Sequence, residues 1–263
     1  MKVIILMENT ACKPQYAAEH GLSLYLETNG HKILFDTGAS GAFADNAGLL
    51  GIDLSQVDLA VLSHGHYDHG GGIRRFLEIN DHAPLYLNCR AFGQYYNGTE
   101  KYIGLDPALE GNSRLIFTDN YIKLDDGLEL FSCNDRAGSC PVDSAGLTRK
   151  QGSDRVPDTF FHEQYLVVSE DGRKIVISGC SHKGILNIME WLHPDILIGG
   201  FHFMKQEITA QGNSRLDAAA EKLMEYDTEY YTCHCTGIAQ YHYLKEKMGG
   251  KLHYLAAGQS LKI

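Results

Sequence analysis

The chain has 263 residues, 44% of them hydrophobic, and its 33 acidic against 23 basic side chains give a formal net charge of −10. That apolar content supports a full core, which excludes intrinsic disorder as the default. The acidic balance argues against a nucleic-acid partner, which calls for a basic face, but not against a small anion in a locally basic pocket.

Residues 3–7 read as the first strand. The apolar run at 1–8 is too short for an export signal, and no run elsewhere is long enough to span a bilayer, so no membrane partner is expected. Strands follow at 22–27 and 32–35, with Asn29-Gly30 as a hairpin signal between them. The loop 8–21 carries Glu19-His20-Gly21. Asp36, which closes the third strand, either caps a turn or orients a metal-binding histidine. A helix is predicted at 42–50, then a buried strand at 57–62. That strand runs into His64-Gly65-His66-Tyr67-Asp68-His69, followed by Gly70, Gly71, Gly72 and a helix that starts at Ile73. His64 and His66, two apart on extended chain, point the same way, as a chelating pair must. Asp68 and His69, on the following turn, can face the same cavity. Imidazole and carboxylate together suit zinc, iron or manganese.

Further strands are predicted at 84–87 and 128–131, with weaker candidates at 115–117 and 121–124. The stretch 134–157 is polar, contains glycine and has no clear period, so it reads as a flap over the site. It carries Arg136, Arg149, Lys150 and Arg155. The second half begins with a hairpin at 164–168 and 174–178, which ends in Gly179-Cys180-Ser181-His182. A helix at 183–192 and a strand at 196–198 lead to Gly199-Gly200-Phe201-His202. An amphipathic helix at 216–226 and a strand at 230–232 lead to Cys233-His234-Cys235-Thr236-Gly237. Three successive strand ends thus each deliver a histidine, and α/β architectures build their sites at strand carboxyl ends. For Cys180 two readings stay open, a thiolate ligand or a small packing residue. Cys233 and Cys235 lack the second cysteine pair of a zinc ribbon. The seven cysteines, an odd number without an export signal, read as reduced thiols of a cytoplasmic protein. No linker or solenoid repeat divides the chain, so one domain over 1–263 is expected.

The HxHxDH pattern after an apolar strand resembles the signature of the metallo-β-lactamase fold superfamily. The resemblance implies a four-layer αββα sandwich of α/β class. It also implies that His64 and His66 bind one metal, that Asp68 and His69 bind a second, and that His234 is the last metal histidine. Asp36 would then orient a ligand from behind. Cys180 stands where the superfamily usually has a bridging aspartate. The superfamily's middle histidine has no clean counterpart, and His162 and Glu163 lie nearest. Several stretches (18–23, 34–38, 63–72, 179–182, 199–202 and 233–237) resemble a narrower group. It is related to 7,8-dihydropterin-6-methyl-4-(β-D-ribofuranosyl)aminobenzene-5′-phosphate synthase.

The expected metal residues are therefore His64, His66, Asp68, His69, Cys180, His182 and His234. They would hold one or two divalent transition metal ions, zinc first and iron or manganese as alternatives. Asp68, His182 and His202 are the expected catalytic residues. His20, Arg149 and Lys150 are the expected contacts to a small-molecule substrate, pterin-like or phosphorylated. The expected activity is metal-dependent hydrolysis or condensation, and the alternative is a metal-dependent small-molecule sensor without turnover.

Overall fold

The computed structural model describes residues 1–98 and 100–263. Two seven-stranded sheets stack face to face. In spatial order the first holds Ser260–Lys262, Lys2–Met7, Ser23–Thr28, His31–Phe35, Leu59–Val61, Leu85–Asn88 and Leu115–Thr118. The second holds Leu252–Tyr254, Glu229–Thr232, Ile196–Ile198, Arg173–Ile177, Tyr165–Glu170, Leu128–Phe131 and Tyr121–Asp125.

The strand periodicity explains the layering. Val3 and Ile5 point into the space between the sheets, as do Ile175 and Ile177 from the other side. Their neighbours Ile4, Leu6 and Val176 point outward, yet they too are buried. Sheets covered on both faces need near-continuous apolar runs, which is what these strands offer. Helices Ala42–Leu49 and Ile73–Ile79 cover the first sheet through Phe43, Ala47, Ile73 and Phe76. Helices Ile185–Leu192, Ser214–Met224 and Ile238–Met248 cover the second through Ile188, Leu216, Leu223 and Leu244. Asn213 caps the middle one of these, its side chain accepting from the backbone N–H groups of Arg215 and Leu216. The result is the αββα sandwich expected from the sequence. No helix among the described residues is long and apolar enough to cross a membrane.

Two features differ from the expectation. The carboxyl-terminal helix Ile238–Met248 and the strands Leu252–Tyr254 and Ser260–Lys262 extend the pattern beyond residue 237. The stretch 134–157 is also less irregular than expected. It contributes Leu147–Gln151 and Asp154–Pro157 to a four-stranded sheet with Tyr95–Asn97 and Lys101–Tyr102. These strands are short and mostly solvated, so no alternation marks them; only Tyr95, Ile103, Leu147 and Phe160 form a small buried cluster there. The upstream part of the stretch is tied to helix Ile185–Leu192. Trp191 Nε1 donates to the Ala137 carbonyl at 2.8 Å, and Asn187 exchanges two 2.9 Å bonds with the Cys140 backbone.

What matters for the site is strand direction. His31–Phe35 and Leu59–Val61 run parallel, as do Arg173–Ile177, Ile196–Ile198 and Glu229–Thr232. Their carboxyl ends lead into Asp36, His64, Cys180, His202 and His234 respectively.

Candidate metal centre

These strand ends bring ligand atoms from both halves together. His64 Nε2 lies 3.2 Å from His182 Nε2. His69 Nε2 lies 3.2 Å from both Cys180 Sγ and His234 Nε2. Asp68 Oδ2 is 3.4 Å from His234 Nε2 and 3.9 Å from His69 Nε2. Donors about 2.0–2.1 Å from a tetrahedral ion sit about 3.3 Å apart, so this is ligand spacing. The triads His64/His66/His182 and His64/His69/Cys180 each keep their donor atoms within 4.8 Å of one another. So do Cys180/His234/Cys235 and His20/Asp68/His234. Cys235 was not among the residues expected here.

The rings are aimed from behind. His69 Nδ1 donates to Asp36 Oδ2 at 2.6 Å, and His234 Nδ1 donates to Asn9 Oδ1 at 2.7 Å. His64 Nδ1 donates to Ser63 Oγ at 2.9 Å, and that hydroxyl in turn donates to Asp36 Oδ2 at 2.7 Å. An imidazole that donates from Nδ1 presents an unprotonated Nε2 on its other side. His66 Nε2 and His182 Nδ1 are buried without a hydrogen-bond partner among the described residues. A buried lone pair with nothing to accept is costly, and a cation at the centre of this donor set would satisfy His66 Nε2.

The electrostatics agree. Burial, then the neighbouring His69, holds the His64 pKa well below the usual range. Burial, then His202, does the same to His182, and burial with His162 beside it brings His66 to about 3. Burial alone would raise Asp68, but His69 and His234 outweigh it and hold the carboxyl below its ordinary value. Burial works against charge on His234 too, yet the Asp68 hydrogen bond leaves that pKa raised. Neutral His64, His66 and His182 beside an ionised Asp68 are the protonation states that metal binding requires, and at His234 an ion would take the place of the proton that Asp68 favours. The residues present fit a divalent ion.

Two fully buried carboxylates hold the second-half loops. Glu8 Oε1 accepts from the His234 N–H at 2.6 Å and the Tyr254 hydroxyl at 2.8 Å. Glu163 Oε1 accepts from the His182 N–H at 2.7 Å, and its Oε2 from Lys183 N–H at 3.0 Å and Tyr165 OH at 2.7 Å. Glu8 has no role in the sequence reading, although a carboxylate ending an apolar strand is a usable signal. His162 has both nitrogens engaged: Nδ1 accepts from Gly65 N–H at 2.9 Å and Nε2 donates to Asp158 at 3.1 Å. The place beside His64 is instead filled by His182. Gly179 lets the halves close: a Cβ there would lie 2.2 Å from Ser63 Oγ. Asp36, Ser181, His202 and His234 all adopt positive φ, between 49° and 59°, a strained cluster of non-glycine residues around one site.

A cleft of about 120 Å³ opens onto this centre. Its walls include His20, His66, Asp68, Cys180, His182 and His202, with Lys101 and Lys205 as the cations. His20 Nε2 lies 3.4 Å from Asp68 Oδ2. The His202 ring lies 4.2 Å from that of His182, and burial, with Lys205 next, lowers its pKa to about 4. Arg149 and Lys150 do not line this cleft; they line a separate cavity beside His162.

Residues 17–200 match the family model of the metallo-beta-lactamase superfamily. The chain belongs to this superfamily. Residues 201–263, with His202 and His234, lie outside the matched stretch and reach the site through the fold. Among relatives, the chain is 29% identical over 245 residues to an uncharacterized protein of Methanocaldococcus jannaschii, covering 89% of this chain and 90% of that one. It is 26% identical over 290 residues to the same organism's 7,8-dihydropterin-6-methyl-4-(beta-D-ribofuranosyl)-aminobenzene-5′-phosphate synthase, covering 100% and 96%. Among solved structures it resembles a metal-dependent hydrolase of the β-lactamase superfamily, with a TM-score of 0.81, 29% identity, and 100% and 99% coverage.

Proposed function

We propose that the chain is a metal-dependent enzyme acting on a small anionic metabolite. The observation that carries this reading is the cleft: four candidate ligands, His66, Asp68, Cys180 and His182, line it directly. A closed, fully protein-covered site would suit a structural ion or a sensor; donors open to a small molecule suit catalysis. In this reading His64, His66 and His182 hold one divalent ion, and Asp68, His69 and His234 with Cys180 hold a second. The mixed nitrogen, oxygen and sulfur set favours zinc over iron or manganese.

An ion held there supplies Lewis acidity. The chain supplies the rest. His202, neutral at neutral pH, accepts or returns a proton at the cleft wall. Lys101 and Lys205 meet the anionic part of the substrate, which the overall charge of −10 would otherwise repel. His20 completes the wall beside Asp68. The likeness to a metal-dependent hydrolase supports hydrolysis. The relative named as a synthase supports a joining reaction and a pterin-like or phosphorylated substrate as the second reading. The seven free thiols suit a reducing compartment such as the cytoplasm.

The test is incubation of the metal-loaded protein with phosphomonoesters, phosphodiesters and reduced pterins, followed by mass spectrometry. The expected result is a converted compound, with kcat reduced about 100-fold in His202→Ala. Compounds that are retained but never converted would replace the enzyme reading by the sensor.

A further inference from the structure

A second cavity, of about 370 Å³, abuts the metal loop through His162, whose ring lies 5.1 Å from that of His66. It shares no lining residue with the cleft. Its wall carries Arg90, Arg149, Lys150 and Thr159, with Phe92 and Phe161 beside them. Arg149 Nε and Thr159 Oγ1 are both buried, and neither has a hydrogen-bond partner among the described residues. Two orphaned polar atoms on one wall are costly unless something meets them. Arginine can only donate and the threonine hydroxyl is free to, so what is missing is an acceptor.

Charge selects the acceptor. Glu110 and Asp158 also line the cavity, but Asp158 is engaged by His162 Nε2 and the Phe160 N–H. Arg90 reaches only loosely toward Asp119, at 3.5 Å, and its guanidinium lies 5.8 Å from the Phe161 ring centroid. Three cations thus stand against two carboxylates, of which Asp158 already accepts two hydrogen bonds, in a chain whose overall charge is −10. Two guanidinium forks, an ammonium and a hydroxyl offer more donors than these carboxylates can accept, and they match the oxygens of a phosphate. Phe92 and the half-exposed Phe161 give a flat apolar rim where an attached ring can rest.

We infer that this cavity binds the phosphate group of a small metabolite at a site separate from the metal cleft. The inference does not depend on the reading of the metal centre.

Calorimetric titration of the metal-loaded protein with inorganic phosphate and with phenyl phosphate tests it. In the His64→Ala/His66→Ala variant saturable one-to-one binding is expected, tighter for phenyl phosphate, and the metal-loaded wild type should show the same site beside any binding at the metal. Arg149→Met should weaken it about tenfold or more, and Arg149→Lys should restore part of the loss. Thr159→Val, which preserves side-chain shape, should weaken it a few-fold and serves if the arginine variants fold poorly. The inference is overturned if no saturable binding occurs. It is also overturned if binding disappears with the two histidines while Arg149→Met and Thr159→Val leave it unchanged, since phosphate would then sit only on the metal.

Discussion

The two halves of the sandwich supply their candidate ligands in different ways. The first half presents His64, His66, Asp68 and His69 from one loop, and a single carboxylate, Asp36, braces it. The second half presents Cys180 and His182 from one strand end and His234 from another, and each loop has its own buried brace, Glu163 or Glu8. A compact loop needs one anchor; dispersed ligands need one each. The contrast predicts that damage to the first half fails as a unit, whereas damage to the second half is local.

The sharpest way to break this contrast is Asp36→Ala. It removes the acceptor for Ser63 N–H, Ser63 OH and His69 Nδ1–H at once, all in buried surroundings. Chemical denaturation should show a loss of about 3 kcal/mol, and metal affinity should fall about 10- to 100-fold. An unchanged metal affinity would mean that the loop holds its shape without the brace.

Glu163→Gln and Glu8→Gln are the matching second-half tests. Each swaps one acceptor oxygen for a donor that faces donors, a cost of about 1–3 kcal/mol. Each should disturb one ligand only, which paramagnetically shifted histidine resonances in the cobalt-loaded protein would resolve. Glu163→Gln should move the His182 signal and leave that of His234; Glu8→Gln should do the reverse. If both variants moved both signals, the second half would be as unified as the first.

These braces also mark the limit of what the sequence discloses. The motif His64 to His69 is legible because its donors are neighbours in the chain. The parallel strands are legible because burial on both faces makes them continuous apolar runs. The His234 brace is not legible, because Glu8 lies 226 residues from its partner, and no local pattern reports so distant a contact. His182, placed by the sequence at the site but not beside His64, gains that place from the Glu163 contact and from Gly179. The sheet of Tyr95–Asn97, Lys101–Tyr102, Leu147–Gln151 and Asp154–Pro157 is not legible in the sequence because its short, solvated strands lack alternation. With that sheet out of sight, the sequence suggests that Arg149 and Lys150 close over the metal site, whereas they line the separate cavity beside His162.

The smallest expected effect concerns the rim. Lys101→Ala and Lys205→Ala touch neither half's braces and should leave metal content and stability unchanged. Each should raise KM for an anionic substrate a few-fold, more at low salt than at high salt, because exposed charges are screened. A change in kcat without one in KM would place these lysines closer to the chemistry.

The central claim, that one metal centre draws ligands from both halves, is tested most directly by elemental analysis of folded protein. The variants to compare with the wild type are His64→Ala/His66→Ala and His234→Ala. The account predicts that the double variant loses most of the bound metal, that His234→Ala also loses a substantial share, and that circular dichroism stays close to wild type in both. Wild-type metal content in either variant would contradict it.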